Sequence, residues 1–338
     1  MKREIRKIEV AVLGAGVGGL GAGCWLKNKG IEFAVFDPAK SVPMNLHNGV
    51  HYLHSIPNLP FESSIDKITL TDAILCDGKF YHEPNLQHAL DYSKKVRDIQ
   101  HPSSILSVGK EDKVYMPTGN GNKLIEEMAE YIGEENFRFS SNVFEIDTQN
   151  KIIKIKTDSK IEEWQYESII STIPLNSMYE IAKIEGKETD FIYNSIHITN
   201  YGVRNIVPNW MINIYIPSPD VSIYRASILN GICSVESIEE LSSTEINKIV
   251  PNILNMFDLH SYRKHQSYEW KNGKIMSISI KQREKVIKDF SEKGIFQIGR
   301  FGLWNRKLLI DTTINQAHAV VEYIKYGDYK EMVKKLAQ

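Results

Sequence analysis

The hydrophobic pattern opens with segments too apolar to be half exposed. Lys7–Leu13 (KIEVAVL) is β-branched and apolar, the pattern of a strand buried on both faces. Gly14-Ala-Gly16-Val-Gly-Gly19 follows, and then a small, apolar stretch to about Lys29 that reads as a buried helix. Ile31–Phe36 (IEFAVF) predicts a second buried strand, ending in Asp37. From Pro38 to Ser55 (PAKSVPMNLHNGVHYLHS) the chain is polar and turn-rich. Periodicity returns at Asn122–Ile132, where Leu124, Ile125, Met128 and Ile132 recur at helical spacing. Asn142-Val143 and the alternating run Lys151–Thr157 predict a small antiparallel ribbon. Tyr166–Ile173 (YESIISTI), stopped by Pro174, reads as another buried strand. Asn200–Cys233 is rich in β-branched and aromatic residues and predicts further strands. Near the end, Gly294–Gly299 (GIFQIG) is a short buried strand. Asp311-Thr-Thr then caps a helix with Ile314, Ala317, Val321 and Ile324 on one face.

The first forty residues combine strand, G-x-G-x-x-G, helix, strand and a terminal acid. Each part has a physical task in binding a dinucleotide. Gly14 allows the tight turn, Gly16 lets the backbone approach a pyrophosphate, and Gly19 permits close helix–strand packing. The helix N-terminus offers unpaired N–H groups and a positive dipole end to the phosphates. Asp37 lies 23 positions after Gly14 (37 minus 14), near the ~20 expected for an acid that accepts from ribose hydroxyls. Its charge would repel a 2′-phosphorylated dinucleotide, but it does not separate FAD from NAD.

An NAD domain would continue with βα units directly after Asp37, and this chain does not. Instead VAVLGAGVGGLGAG…FAVFD, YMPTGNGNKLIEEMA, NVFEID, YESIISTIPL and GIFQIGRFGLWNRKLLIDTTINQA follow in order across most of the chain. In these pieces the chain resembles the flavin superfamily that includes monoamine-oxidase-type enzymes, protoporphyrinogen oxidase and UDP-galactopyranose mutase. NGVHYLHS resembles the mutase's His-containing segment near the flavin, and SIYRAS a substrate-side strand. The resemblance implies an α/β protein with FAD as cofactor. A discontinuous Rossmann-like FAD-binding domain (1–58, 108–175 and 285–338) would carry a smaller mixed α+β substrate domain (59–107 and 176–284). It also implies that Gly299 and Arg300 approach the pyrophosphate, and that the helix beginning at Asp311 or Thr312 directs its positive end at the flavin pyrimidine edge, favouring the reduced form. Val143 would meet the adenine through backbone groups, and Thr172 would lie near the cofactor. The chain departs from the family after Asp37, where the usual Arg and Gly-Gly pair are missing and Lys40 is the available charge. The tyrosine-rich late motif of the mutase is replaced by LWNRKLLID, with Trp304 alone.

Composition narrows the function classes. The 338 residues are 42% hydrophobic and 25% charged, ordinary globular usage. Lys plus Arg (41) against Asp plus Glu (42) gives a net charge of −1, so no global basic excess advertises a nucleic-acid partner, although a local patch stays open. Cys24, Cys76 and Cys233 are far apart, which argues against a disulfide framework or a structural zinc site. No apolar run reaches the ~20 residues of a membrane span. The expectation is a soluble, cytoplasmic protein.

Flavin carries the electron chemistry, so the protein need only place, tune and enclose. His51 is the candidate nearest the ring by resemblance, with His47 and His54 beside it in sequence; the other reading is a solvated loop. Arg225 could clamp a substrate carboxylate or phosphate, or simply pair with an acid in its strand. Trp304 could wall the pocket or fill the core. Neither Lys271 nor Lys274 is assigned a role. The leading activity is oxidation of an amine C–N bond on a free or carrier-attached substrate. The alternatives are redox-neutral chemistry of the mutase type, a C–N lyase or desaturase on a polymer or carrier, an NAD-dependent dehydrogenase, and a non-catalytic nucleotide-binding module.

Overall fold

The structure is a computed structural model that describes residues 5–43, 52–97, 105, 112–117, 122–158, 160–185, 191–204, 208–259 and 262–337. The chain begins with β1 (Arg6–Leu13), α1 (Val17–Asn28) and β2 (Phe33–Phe36), then β3 (Ile65–Cys76), β4 (Lys79–Tyr81), α2 (Leu86–Arg97), β5 (Asp112–Pro117) and α3 (Asn122–Ile132). Next come β6 (Phe137–Arg138), β7 (Asn142–Asp147), β8 (Ile152–Lys156), β9 (Ile161–Ser171), α4 (Leu175–Ile181) and β10 (Tyr193–Val203). β11 (Trp210–Tyr215), β12 (Ile223–Leu229), β13 (Ile232–Ser237), α5 (Val250–Asn255) and β14 (Tyr262–Ile275) lead to α6 (Ile280–Ser291). The chain closes with β15 (Ile295–Gln297), α7 (Gly299–Gly302), α8 (Ile310–Tyr326) and α9 (Tyr329–Ala337).

These elements build two sheets. The first has seven strands, ordered β6-β2-β1-β9-β8-β7 with β15 also on β9. Its centre is parallel: β1 pairs β2 with Val12 opposite Val35, and pairs β9 with Val12 opposite Ile170. Such strands must be covered on both faces, which is why KIEVAVL and IEFAVF carry so little polarity. One face packs on α1, α3 and α8 through Leu20, Leu26, Met128, Ile314 and Val321; the other packs on α4 and α6 through Met178, Tyr179, Val286 and Phe290. The ribbon β7–β8 extends the sheet antiparallel from β9, as its alternating pattern predicts.

The second sheet has eight strands, ordered β14-β10-β13-β12-β11-β3-β4 with β5 on β3. It is antiparallel except where β11 runs parallel to β3. One face is closed by α5 through Ile212, Ile214, Ala226, Val235, Ile253 and Leu254. The other carries α2, whose Ala89, Tyr92 and Val96 pack on Ile74, Ile196, Ile198 and Tyr224. Asp112–Pro117 joins this sheet, whereas the resemblance groups 108–175 with the FAD-binding domain. The reason is pairing: Ile65, Lys67 and Thr69 of β3 line up with Pro117, Tyr115 and Lys113.

Candidate active site

The glycine-rich turn is built from backbone constraints. The Gly14 N–H donates to the Phe36 carbonyl at 2.8 Å, tying the end of β1 to the end of β2. Gly14 has φ +103°, and a Cβ there would strike the Thr172 hydroxyl. At Gly19 a Cβ would run into the Gly14 carbonyl, so the turn closes only with glycine at that position. Gly16 differs: a Cβ there would meet nothing within 4 Å. α1 starts at this opening with no side-chain cap and no acid in its first turn. Its first N–H groups are therefore left for an anion. An open cradle at the one glycine expected to face a pyrophosphate, with uncapped donors beside it, fits the nucleotide end of FAD.

Neighbouring residues support that turn. Asp37 is 7% exposed, and its Oδ2 accepts from the Ala15 N–H at 2.6 Å while Oδ1 accepts from the Ala39 N–H at 2.8 Å. The carboxylate thus fixes the glycine turn to the end of β2. Thr172, just past β9, donates through Oγ1 to the Leu13 carbonyl at 3.0 Å. At Gly18 a Cβ would meet Thr172 and Thr313 together, and at Gly299 (φ +79°) it would press on Thr313. Gly14, Thr172, Gly299 and the first turn of α8 are therefore brought together from three distant parts of the sequence. Val143 is the second residue of β7, two residues after Ser141, whose N–H donates to the Asp37 carbonyl at 2.9 Å.

The start of α8 differs from the sequence pattern. The helix begins at Ile310 with Leu309 as its N-cap, so Asp311 lies inside the first turn. Thr312 supplies the local bonds, its Oγ1 accepting from the Leu309 N–H at 2.7 Å and donating to the Leu309 carbonyl at 2.9 Å. Asp311 is free to reach elsewhere: Oδ2 accepts from Ser55 N–H at 3.1 Å and Ser55 Oγ at 2.8 Å. Its buried Oδ1 has no hydrogen-bond partner among the described residues.

Other candidates are placed elsewhere. Lys40 is exposed to solvent. His47 and His51 lie outside the described residues, and His54 is exposed with its ring edge-on to Tyr52. Trp304 is 0% exposed and sits in the core against Phe191 at 4.9 Å, so it fills the interior rather than walling a pocket. Among the described residues no group of three or more His, Cys, Asp or Glu side chains is arranged to hold a metal.

Arg225 leads to a charge cluster that the sequence reading did not assemble. It stands opposite Glu236 in the β12–β13 pairing. Its Nε donates to Glu236 Oε1 at 2.9 Å and its second guanidinium nitrogen bonds the same oxygen. The Tyr224 hydroxyl donates to Oε2, and the Lys274 amine lies 3.7 Å from that oxygen and 4.5 Å from the Tyr224 ring centroid. Burial would raise the Glu236 carboxyl, but Arg225, Lys274 and these hydrogen bonds outweigh it and hold the group at about 2. Burial, with repulsion from Arg225, Arg97 and Arg300, brings the Lys274 amine down to about 7 against the attraction of Glu236. Arg300 donates through Nε to the Leu308 carbonyl at 3.1 Å, and its guanidinium is depressed by burial and by Arg225. Arg97 at the end of α2 is depressed by burial and by Arg306, and its Nε has no partner among the described residues. Arg225 and Lys274 thus hold one carboxylate, Arg300 feels the same carboxylate, and Arg97 adds charge beside Lys274 and Arg300, with Arg306 near Arg97. Cations exceed anions in a desolvated place, a standing attraction for an anionic ligand. Arg225, Lys274 and Arg300 could be picked out in the sequence, but their meeting with Arg97 and Glu236 could not, because these residues lie on separate elements.

No protein-family model matches the sequence, and no curated protein matches it either. Solved structures do. The chain is similar to reduced UDP-galactopyranose mutase, with TM-score 0.70 and 14% identity over 98% of this chain and 99% of that one. It is similar to a protoporphyrinogen oxidase candidate from Exiguobacterium sp. 255-15, with TM-score 0.62 and 11% identity over 96% and 99%. It also resembles a fatty acid isomerase from P. acnes, with TM-score 0.59 and 11% identity over 95% and 99%. None of the described helices is long and apolar enough to cross a membrane. Identities of this size are a likeness of fold, and two of the three enzyme groups named by the sequence resemblance are among the structures matched: the chain shares the fold of these solved structures.

Proposed function

We propose that the protein is an FAD-dependent enzyme that oxidises a C–N bond in a substrate carrying a carboxylate or phosphate. The observation that carries the second half is the excess of buried cations around Glu236. A simple cationic amine would be repelled there, whereas an anionic group would relieve the mutual repulsion of Arg225, Arg97, Lys274 and Arg300. When bound, FAD supplies the two-electron acceptor. The chain's own residues do the rest. Gly16 and the first turn of α1 admit the pyrophosphate. Arg225, held in its fork by Glu236, presents paired donors to the substrate anion, and Arg300 adds charge from the cofactor side.

The cation cluster also suits a second reading, redox-neutral chemistry on a phosphorylated substrate. The likeness to UDP-galactopyranose mutase in fold supports keeping it. One experiment separates the two: anaerobic titration of the yellow holoprotein with amines that differ only in bearing a carboxylate or phosphate. Bleaching of the flavin band by the anionic amines alone supports the oxidase reading. Anion binding without bleaching supports the redox-neutral one, and bleaching by uncharged amines equally well overturns the role given to the cluster.

A further inference from the structure

The face of the second sheet that carries Arg225 and Glu236 breaks the rule that a buried face is apolar. Two residues along the strands, Asp72 stands opposite Asn213, Asn213 opposite Ser227, Ser227 opposite Ser234, and Ser234 opposite Asn200. One polar row therefore crosses five neighbouring strands at a single register. Four of its members are buried, with Asn213 at 0% and Asn200 at 7% exposure. The opposite face of the same strands is mainly apolar, with Ile212, Ile214, Ala226, Ile228 and Val235, and its buried polar residues Thr199 and Ser237 lie toward the β10–β13 side. A continuous polar row across five strands, beside the Arg225–Glu236 pair on the same face, is not a by-product of strand composition. Local rules broken in one place are the mark of a functional surface.

The hydrogen bonds in the row point the same way. Ser227 Oγ donates to Asn213 Oδ1 at 2.6 Å, and Ser234 Oγ donates to Asn200 Oδ1 at 2.6 Å. With its carbonyl held by Ser227, Asn213 is fixed in rotation, and its Nδ2 has no partner among the described residues. A ladder with a purely structural task would close on itself, because buried donors are almost always satisfied. The row is also placed where a substrate would lie. On one side, two residues along the strands, is the row of Arg225 and Glu236, the proposed anion site. On the other are Leu70, Met211 and Leu229, on which Tyr52 packs.

We propose that Asn213, oriented by Ser227, donates a hydrogen bond to a hydroxyl or carbonyl oxygen of the substrate, with Ser234 and Asn200 extending the same subsite. The substrate is then a hydroxylated anion, its charged end toward Arg225 and its neutral oxygens on the polar row, about 6.6 Å away along the strands. This rests on the reading of the cation cluster as an anion site.

The test compares propyl phosphate with glycerol 3-phosphate, which share a three-carbon skeleton and differ in two hydroxyls. Binding to the holoprotein is measured by calorimetry. Glycerol 3-phosphate is expected to bind at least about tenfold tighter, since a site built to bond a hydroxyl rejects the analogue lacking it. Asn213→Ala and, separately, Ser227→Ala should remove that preference while leaving propyl phosphate binding unchanged. Equal binding of the two probes to the unmodified protein overturns this proposal and leaves the anion site standing. Failure of both probes to bind overturns the anion site and this proposal together. Equal loss of both probes in a variant that keeps its flavin and circular dichroism assigns the row a structural role. Should Asn213→Ala not fold, Ser227→Ala carries the comparison.

Discussion

On the function proposed above, the glycine turn and the cationic sheet face would be two solutions to holding negative charge. The turn uses backbone: Gly16 leaves a gap, Gly14 and Gly19 let the chain pass close to itself, and α1 supplies uncapped donors. All of it lies within a few dozen residues of sequence. The sheet face uses long side chains from α2, β12, β14 and α7, which meet only because the strand register brings them together. A backbone site has little to lose from changes in side-chain charge and everything to lose from a Cβ. The side-chain site has the opposite sensitivity.

The sharpest break of that contrast is at the turn. Gly16→Val should abolish flavin retention, read as the visible absorption of purified protein, yet leave the melting temperature of the flavin-free protein unchanged, because the added atoms enter open space. Gly19→Ala should instead destabilise the flavin-free protein by about 3 kcal/mol through backbone overlap. Equal stability of the two variants would dissolve the distinction between a cradle and a packing glycine.

On the sheet face, Glu236→Ala should cost about 3–5 kcal/mol in chemical denaturation, because Arg225 and Lys274 are left buried without their acid. Flavin binding to the fraction that folds should persist. A surface-like loss of well under about 1 kcal/mol would mean that water reaches the cluster.

A gentler test uses pH. Lys274 titrates at about 7 in the folded chain, so the cluster loses a positive charge as pH rises through neutrality. Affinity for propyl phosphate should fall over that interval, and Lys274→Met should flatten the profile. Stability should move the other way. The amine is depressed on folding, the unfolded chain holds more protons between about 7 and 10.5, and the folded state therefore gains with rising pH in that window. A melting temperature in Lys274→Met that tracks the parent across the window would remove Lys274 as the source.

What was legible in the sequence follows from the same contrast. KIEVAVL, the glycine turn and Asp37 could be read because their geometry is local and glycine has few reasons to recur so closely. β1, α1 and β2 lie within a residue or two of the pattern. α8 begins one residue before Asp311 because Thr312 rather than Asp311 bonds to the N-cap residue, a choice between neighbouring polar side chains that spacing does not make. Trp304 was open between core and pocket, and its complete burial and its contacts with Phe191 and Tyr193 place it in the core. β5 carries nothing in KVYMP that names its partner; pairing with β3 is a tertiary fact. Glu236, Arg97 and Asn213 are unremarkable in sequence because each is one polar residue in an otherwise ordinary strand or helix. Their meaning is in the register.

β5 has one more consequence. The chain leaves the first sheet after β2, builds β3, β4 and β5 in the second, returns for β6 through β9, goes back for β10 through β14, and comes home for β15. Neither sheet is a contiguous stretch of sequence, so a single proteolytic cut releases neither as a self-contained piece. The two halves are stitched together by the path of the polypeptide itself, and the molecule should melt as one unit, its glycine turn and its charged face lost in the same transition.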